Sequence, residues 1–210
     1  MKQEMLESLA QELAACRECP LREAAQAPVG WFGNYDSPIV FVGEGPGGVE
    51  DDYGCPLIGP SGQLLDKALW AAKMTRDRIL TTNVIKCRPK GNRTPNIAEA
   101  DFCAQRWLDK ELAILQPKVV VALHYLGNQD MRITRDRGKW FKTKHGFDCI
   151  ATFHPAYLLR ISNIKALNAA KWDVFHDLEA ARDKALAAVP DYNLMSEEKT
   201  DLFKLFQRRK

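Results

Sequence analysis

Apolar residues in this chain fall into short unbroken runs that alternate with longer stretches of helical spacing. Ile39, Val40, Phe41 and Val42 form a run rich in β-branched residues, and it stops at Gly43-Glu44-Gly45-Pro46-Gly47-Gly48, where neither helix nor strand continues. Arg78 to Val84 (RILTTNV) reads as a second strand, Val119 to Leu123 as a third, and Cys149 to Phe153 as a fourth, closed by His154-Pro155. Continuous apolar runs of this kind are expected of strands covered on both faces.

The stretches between them carry the helices. Met5, Leu6, Leu9 and Leu13 mark an amphipathic first helix ending near Cys16, and Ser61 is placed to cap a helix carrying Leu64, Leu65, Ala68 and Leu69. Asn96 with Glu99 three residues on has the form of a capping box. It opens a long helix through Phe102, Trp107, Leu108, Leu112 and Leu115, which Pro117 stops. A last helix holds Leu167, Trp172, Phe175 and Leu178. Strands alternating with helices predict an α/β fold, a three-layer α/β/α sandwich around a four-stranded, mainly parallel sheet. Residues 1–189 form the expected domain, and Pro190 introduces a polar tail, 190–210, expected to lie outside the core.

Composition narrows the class. The 210 residues are 46% hydrophobic and 27% charged, enough for one substantial core. No apolar run is long enough to span a membrane, and the first residues lack a signal core, so a cytosolic or nucleoid location is expected. Thirty basic against twenty-seven acidic residues leave a net charge of +3. Any nucleic-acid face must therefore be a local patch.

In a reducing compartment the six cysteines are not expected to form disulfides. Cys16 and Cys19 make a C-x2-C pair, and Cys87 and Cys103 follow as C-x15-C after the second strand. Four such thiolates suit zinc or a [4Fe-4S] cluster, and spacing leaves both open. Cys149 reads as a core strand residue, and Cys55 sits in the glycine loop outside the four-cysteine pattern.

GEGPG-x-x-ED, G-x-P-x-x-G, TNV-x-K-CRP-x-x-NR-x-P and HPAYLLR occur in this order, threaded by the four cysteines from Cys16 to Asp177. Together they resemble the iron-sulfur uracil-DNA glycosylases, the family 4 branch of that superfamily. The resemblance implies a [4Fe-4S] cluster on Cys16, Cys19, Cys87 and Cys103. It implies a monofunctional enzyme that flips uracil out of DNA and hydrolyses its N-glycosidic bond; separately, a monomer is expected.

Such chemistry has definite needs. The base must leave the stack, at a cost of roughly a few kcal/mol, and its departure puts negative charge on uracil and positive charge on the sugar. By this resemblance His154 donates a hydrogen bond to uracil O2. Asn83 accepts from N3–H and donates to O4, a pattern that cytosine reverses. Gly43, Gly45, Pro46 and Gly47 form the loop around the base, with the N–H groups of Glu44 and Gly45 toward the uracil carbonyl region. Glu50 stands beside C5, where it excludes a methyl group. Arg88, Lys90, Arg93 and Arg160 are phosphate candidates, and Tyr157, Leu158 and Leu159 are candidates for the wedge that fills the vacated stack.

Three positions depart from the family pattern. Leu57 replaces the phenylalanine that stacks on uracil, Pro60-Ser61-Gly62 replaces a basic-Ala-Gly segment, and Gly45 stands where another branch has a water-orienting aspartate. Glu44 and Asn92 are then the candidates for holding the water. Two rival functions fit the same residues: a glycosylase with a wider range of deaminated bases such as hypoxanthine and xanthine, or a non-catalytic iron-sulfur DNA-binding protein. Lys90 to Pro95 holds no histidine, so covalent trapping from that loop is not expected. Leu202 to Phe206 (LFKLF) faintly resembles a sliding-clamp peptide.

Overall fold

In the computed structural model, residues 1–124 and 133–197 are described. The helices are α1 (Lys2–Ala14), α2 (Leu21–Ala24), α3 (Gly48–Tyr53), α4 (Pro60–Ala71), α5 (Ile97–Cys103), α6 (Asp109–Leu115), α7 (Ile133–Asp136), α8 (Pro155–Leu158) and α9 (Ile164–Ala188). The strands are β1 (Phe32–Gly33), β2 (Ile39–Gly43), β3 (Leu80–Asn83), β4 (Val119–Ala122), β5 (Trp140–Lys142) and β6 (Asp148–Ala151).

The sheet has six strands in the order β1-β3-β2-β4-β6-β5, not the four expected. The four strands read from the sequence are its parallel centre, and the two additions pair antiparallel at the edges. Alternation along the central strands feeds two separate cores. Val40, Val42, Leu80, Val120, Ala122 and Cys149 face the layer of α1, α5 and α6. Ile39, Phe41, Val119, Val121 and Ile150 face that of α4 and α9. Both faces are thus covered, as the unbroken apolar runs require.

Local details differ in instructive ways. Gly59, not Ser61, is the N-cap of α4, because Pro60 already occupies the first helical position. The capping box at Asn96 is present: its Oδ1 accepts from the Glu99 N–H at 2.8 Å, and the Glu99 carboxylate accepts from the Asn96 N–H at 2.9 Å. The long helix it opens carries a π-helical stretch, Ala104–Leu108, between α5 and α6. The start of the polar tail is docked, contrary to expectation. Leu194 is buried in the α4–α9 core, its C=O accepts from the Thr75 N–H, and Tyr192 donates from its hydroxyl to the Arg78 carbonyl. The LFKLF segment lies outside the described residues. Among the described residues, no helix is long and apolar enough to cross a membrane.

Candidate active site and thiol cluster

The parallel strands deliver their carboxyl ends to one edge of the sheet. Gly43 and Asn83 are register partners at the ends of β2 and β3, Leu123 and His124 follow β4, and Phe153 and His154 follow β6. In an open α/β sheet this edge is where ligands bind. A cleft of about 470 Å³ opens there. The glycine loop contributes Glu44, Gly45, Pro46, Gly47, Glu50 and Leu57 to its lining. Asn92, Arg93, His124, Phe153, His154, Tyr157 and Arg160 line it from the other segments.

His154 is the N-cap of α8, and its Nδ1 accepts the Ala156 N–H at 3.1 Å. An acceptor nitrogen carries no proton, so the neutral ring bears its hydrogen on Nε2. Burial, with the nearby His124 and then Arg160, lowers its pKa to about 4. The ring is therefore a neutral hydrogen-bond donor at physiological pH.

Asn83 does not line the cleft. Its side chain is buried, and among the described residues neither Oδ1 nor Nδ2 has a hydrogen-bond partner. Its Oδ1 and Leu57 Cδ2 both lie against Gly43, within 2.4 and 3.6 Å of where a Cβ there would stand. Leu57, itself 4% exposed and held at a left-handed φ of 55°, is thus packed beside the amide. An unpaired buried amide costs about 1–3 kcal/mol, a cost that a complementary ligand removes.

Glu50 is not a solvated acid. Its carboxylate accepts from the N–H groups of Gly47, Ile58 and Gly59 at 3.1, 3.1 and 2.8 Å, tying the glycine loop to the turn that carries Leu57. The basic candidates separate. Arg93 forms a two-pronged pair with Glu99, at 2.8 and 2.6 Å, and is not a free phosphate ligand. Arg88 donates to Asn92 Oδ1 at 2.7 Å, so that amide is already engaged. Lys90 lies on the exposed loop, and Arg160 borders the cleft with no side-chain hydrogen bond among the described residues. Leu158 is buried in the α4–α9 core and cannot act as a wedge, whereas Tyr157 and Leu159 are 38% and 53% exposed.

Two functional groups escape sequence reasoning. His124, just past the third apolar run, places its Nδ1 3.2 Å from Glu44 Oε2. Its position at the carboxyl end of a parallel strand is the signal that could have found it. Lys86 is fully buried, with its ammonium 2.6 Å from Glu111 Oε1, 2.7 Å from Thr82 Oγ1 and 2.8 Å from the Asn83 carbonyl.

The four candidate metal thiols share one neighbourhood between α1, the turn after β3, and α5. Burial pushes the Cys87 thiol up to about 12, and Cys103, Cys19 and Cys16 each add to that rise. Cys103 Sγ also accepts the Lys86 N–H at 3.3 Å. Cys87 and Cys103 are buried and Cys16 and Cys19 partly exposed, and among the described residues no group of three or more His, Cys, Asp or Glu side chains is gathered closely enough to hold a metal ion. Cys149 is a buried strand residue and Cys55 is buried in the glycine loop, neither belonging to this group.

Residues 31–179 match the sequence profile of the Uracil DNA glycosylase superfamily. The chain belongs to the uracil-DNA glycosylase superfamily. Relatives named Type-4 uracil-DNA glycosylase cover most of this superfamily member. That of Thermotoga maritima is 36% identical over 187 residues, 86% of this chain and 95% of its own. That of Archaeoglobus fulgidus is 34% identical over 168 residues, 74% of this chain and 84% of its own. The Pyrobaculum aerophilum protein is 32% identical over 167 residues, 74% and 85%. Of the motif residues, Glu44, Gly45, Pro46, Gly47, Glu50, Leu57, Asn92, Arg93, His154, Tyr157 and Arg160 line the cleft at the strand ends, while Asn83 and Leu158 do not.

Proposed function

We propose that this protein is a DNA glycosylase that flips uracil out of DNA and hydrolyses the bond between the base and its deoxyribose. The observation that carries the reading is the buried Asn83 amide at the end of β3, which has no hydrogen-bond partner among the described residues. Uracil N3–H supplies the donor that Asn83 Oδ1 lacks and O4 the acceptor that Nδ2 lacks, and cytosine presents them reversed. Leu57, which lines the cleft and packs against Gly43 near this amide, would cover one face of the base.

As the C1′–N1 bond breaks, its electron pair leaves with the base. The Nε2–H of His154 stabilises the charge that gathers on uracil O2, and a neutral imidazole does so without giving up its proton. Arg160 stands at the cleft border for a phosphate, and exposed Tyr157 and Leu159 are suited to fill the gap in the stack. Cys16, Cys19, Cys87 and Cys103 would hold a [4Fe-4S] cluster, which supplies a cross-link between the loop after α1 and the segment that positions Asn83. Relatives named as glycosylases favour a catalyst over a non-catalytic DNA-binding protein.

The test is strand cleavage after alkali on oligonucleotides carrying a single uracil, with excess substrate. Multiple rounds of uracil release support the reading, and tight binding without release rejects it. Brown protein with iron near about four per chain supports the cluster. One zinc per chain rejects it.

A further inference from the structure

Loss of the base leaves a sugar cation, and the water that quenches it must give up a proton to some group in the cleft. Glu44 follows β2 directly and His124 follows β4 by two residues, and these strands are parallel neighbours with Val42 opposite Ala122. Continuing that register brings Glu44 beside His124, and their side chains meet at 3.2 Å between Oε2 and Nδ1. Both are about one third exposed, at 30% and 29%, and both line the cleft that holds His154.

A carboxylate only accepts, so the shared hydrogen sits on His124 Nδ1. The Nε2 of the neutral ring then keeps its lone pair, and no hydrogen bond to it exists among the described residues. A carboxylate that fixes the tautomer of an imidazole and later stabilises its protonated form is the working part of an acid–histidine base. Resting on the uracil-excision reading, we propose that His124, held by Glu44, is the general base that takes the proton of the attacking water.

The step balances without a further reactant. The C1′–N1 bond breaks with its pair of electrons on uracil, the water oxygen bonds to C1′, and the water proton passes to His124 Nε2. The products are the uracil anion, which takes up a proton from solvent, and an abasic sugar bearing a hydroxyl. Glu44 faces the imidazolium so formed, and the proton then returns to solvent.

Burial lowers the His124 pKa and Glu44 opposes that shift, so the ring is neutral and able to accept near pH 7. The other charged or titratable groups on the cleft are accounted for. Glu50 is held by three backbone amides, and Arg93 is paired with Glu99. His154 is bonded at Nδ1, and Tyr157 and Arg160 line the cleft without an ion pair to Glu44 or His124 among the described residues.

Single-turnover uracil release from a saturating uracil-containing duplex, measured from pH 5 to 8, tests the assignment. The wild-type rate is expected to rise with pH below the ordinary imidazole value of 6.5 and then level off. His124→Gln is expected to lose about 100-fold at the plateau, to lose that rise, and to bind the same duplex as tightly as wild type. Imidazole added to His124→Ala is expected to restore part of the rate, and Glu44→Gln combined with His124→Gln to be no slower than His124→Gln alone. Wild-type protein that releases no uracil overturns both this assignment and the glycosylase reading. A His124→Gln variant with wild-type rate and profile, or one whose loss of rate follows a loss of binding, overturns this assignment alone.

Discussion

A Cβ on Gly43 would stand 2.4 Å from Asn83 Oδ1, its register partner on the neighbouring strand. Only a hydrogen at Gly43 lets the amide lie flat against the sheet end. Gly43→Ala is therefore expected to push Asn83 out of place and to cut single-turnover uracil release by about 10- to 100-fold, equivalent to about 1–3 kcal/mol. Asn83→Ala should lose a similar amount, and the double variant little more than either. Near-native far-UV circular dichroism would separate displacement of the amide from failure to fold.

The His154 ring predicts a pH dependence of stability with a definite sign. Its folded pKa of about 4 lies below the ordinary 6.5, so the unfolded chain binds a proton in that window that the folded chain refuses. The contribution is intact above 6.5, declines as pH falls, and is fully lost below about 4. Urea midpoints at pH 7 and pH 5 should differ more in wild type than in His154→Gln. If His154 serves as the proposed donor to uracil O2, the same substitution should lower the excision rate by about 100- to 1,000-fold.

How much of this was legible beforehand depends on what each residue type can signal. The four central strands, the capping box at Asn96 and the strand-end positions of Gly43, Asn83 and His154 follow from apolar runs and their punctuation. Edge strands β1 and β5 span two and three residues, too short for any period to register, and neither is a continuous apolar run. Leu158 and Leu159 look alike in sequence, and only packing shows that one is core and the other exposed. The pairing of Arg93 with Glu99 depends on helix α5 swinging its acid back over the preceding loop. His124 and Lys86 carry no signal of their own in the sequence, because one ends an apolar run and the other sits between two more conspicuous residues. Their importance comes from partners distant in the chain, Glu44 and Glu111.

Leu57 offers a test of what the missing aromatic ring contributes. A leucine covers one face of a base by dispersion alone, whereas an aromatic ring adds stacking of about 1 kcal/mol. Leu57→Phe is expected to tighten binding of uracil-containing DNA by about fivefold, read by fluorescence anisotropy with a substrate that cannot be cleaved. The carbonyl of Leu57 already lies where a Cβ on Gly62 would come within 1.7 Å, so the backbone there has no freedom to adjust. Gly62→Ala should therefore lower stability and activity together.

The buried Lys86–Glu111 pair links the thiol neighbourhood to the base site, and its two roles can be separated. Both side chains are essentially inaccessible, at 1% and 0%, and their charged atoms approach to 2.6 Å. Removing one partner strands the other charge in the core, so Lys86→Met is expected to cost about 3–5 kcal/mol. Lys86→Met combined with Glu111→Met leaves no stranded charge and should recover most of that loss in a urea titration. Excision should behave differently. The Lys86 ammonium also donates to the Asn83 carbonyl at 2.8 Å and to Thr82 Oγ1 at 2.7 Å, and methionine restores neither bond. The double variant should thus regain stability while its uracil release stays below wild type. Recovery of both together would mean that the pair serves packing alone, with no part in holding Asn83 for the base.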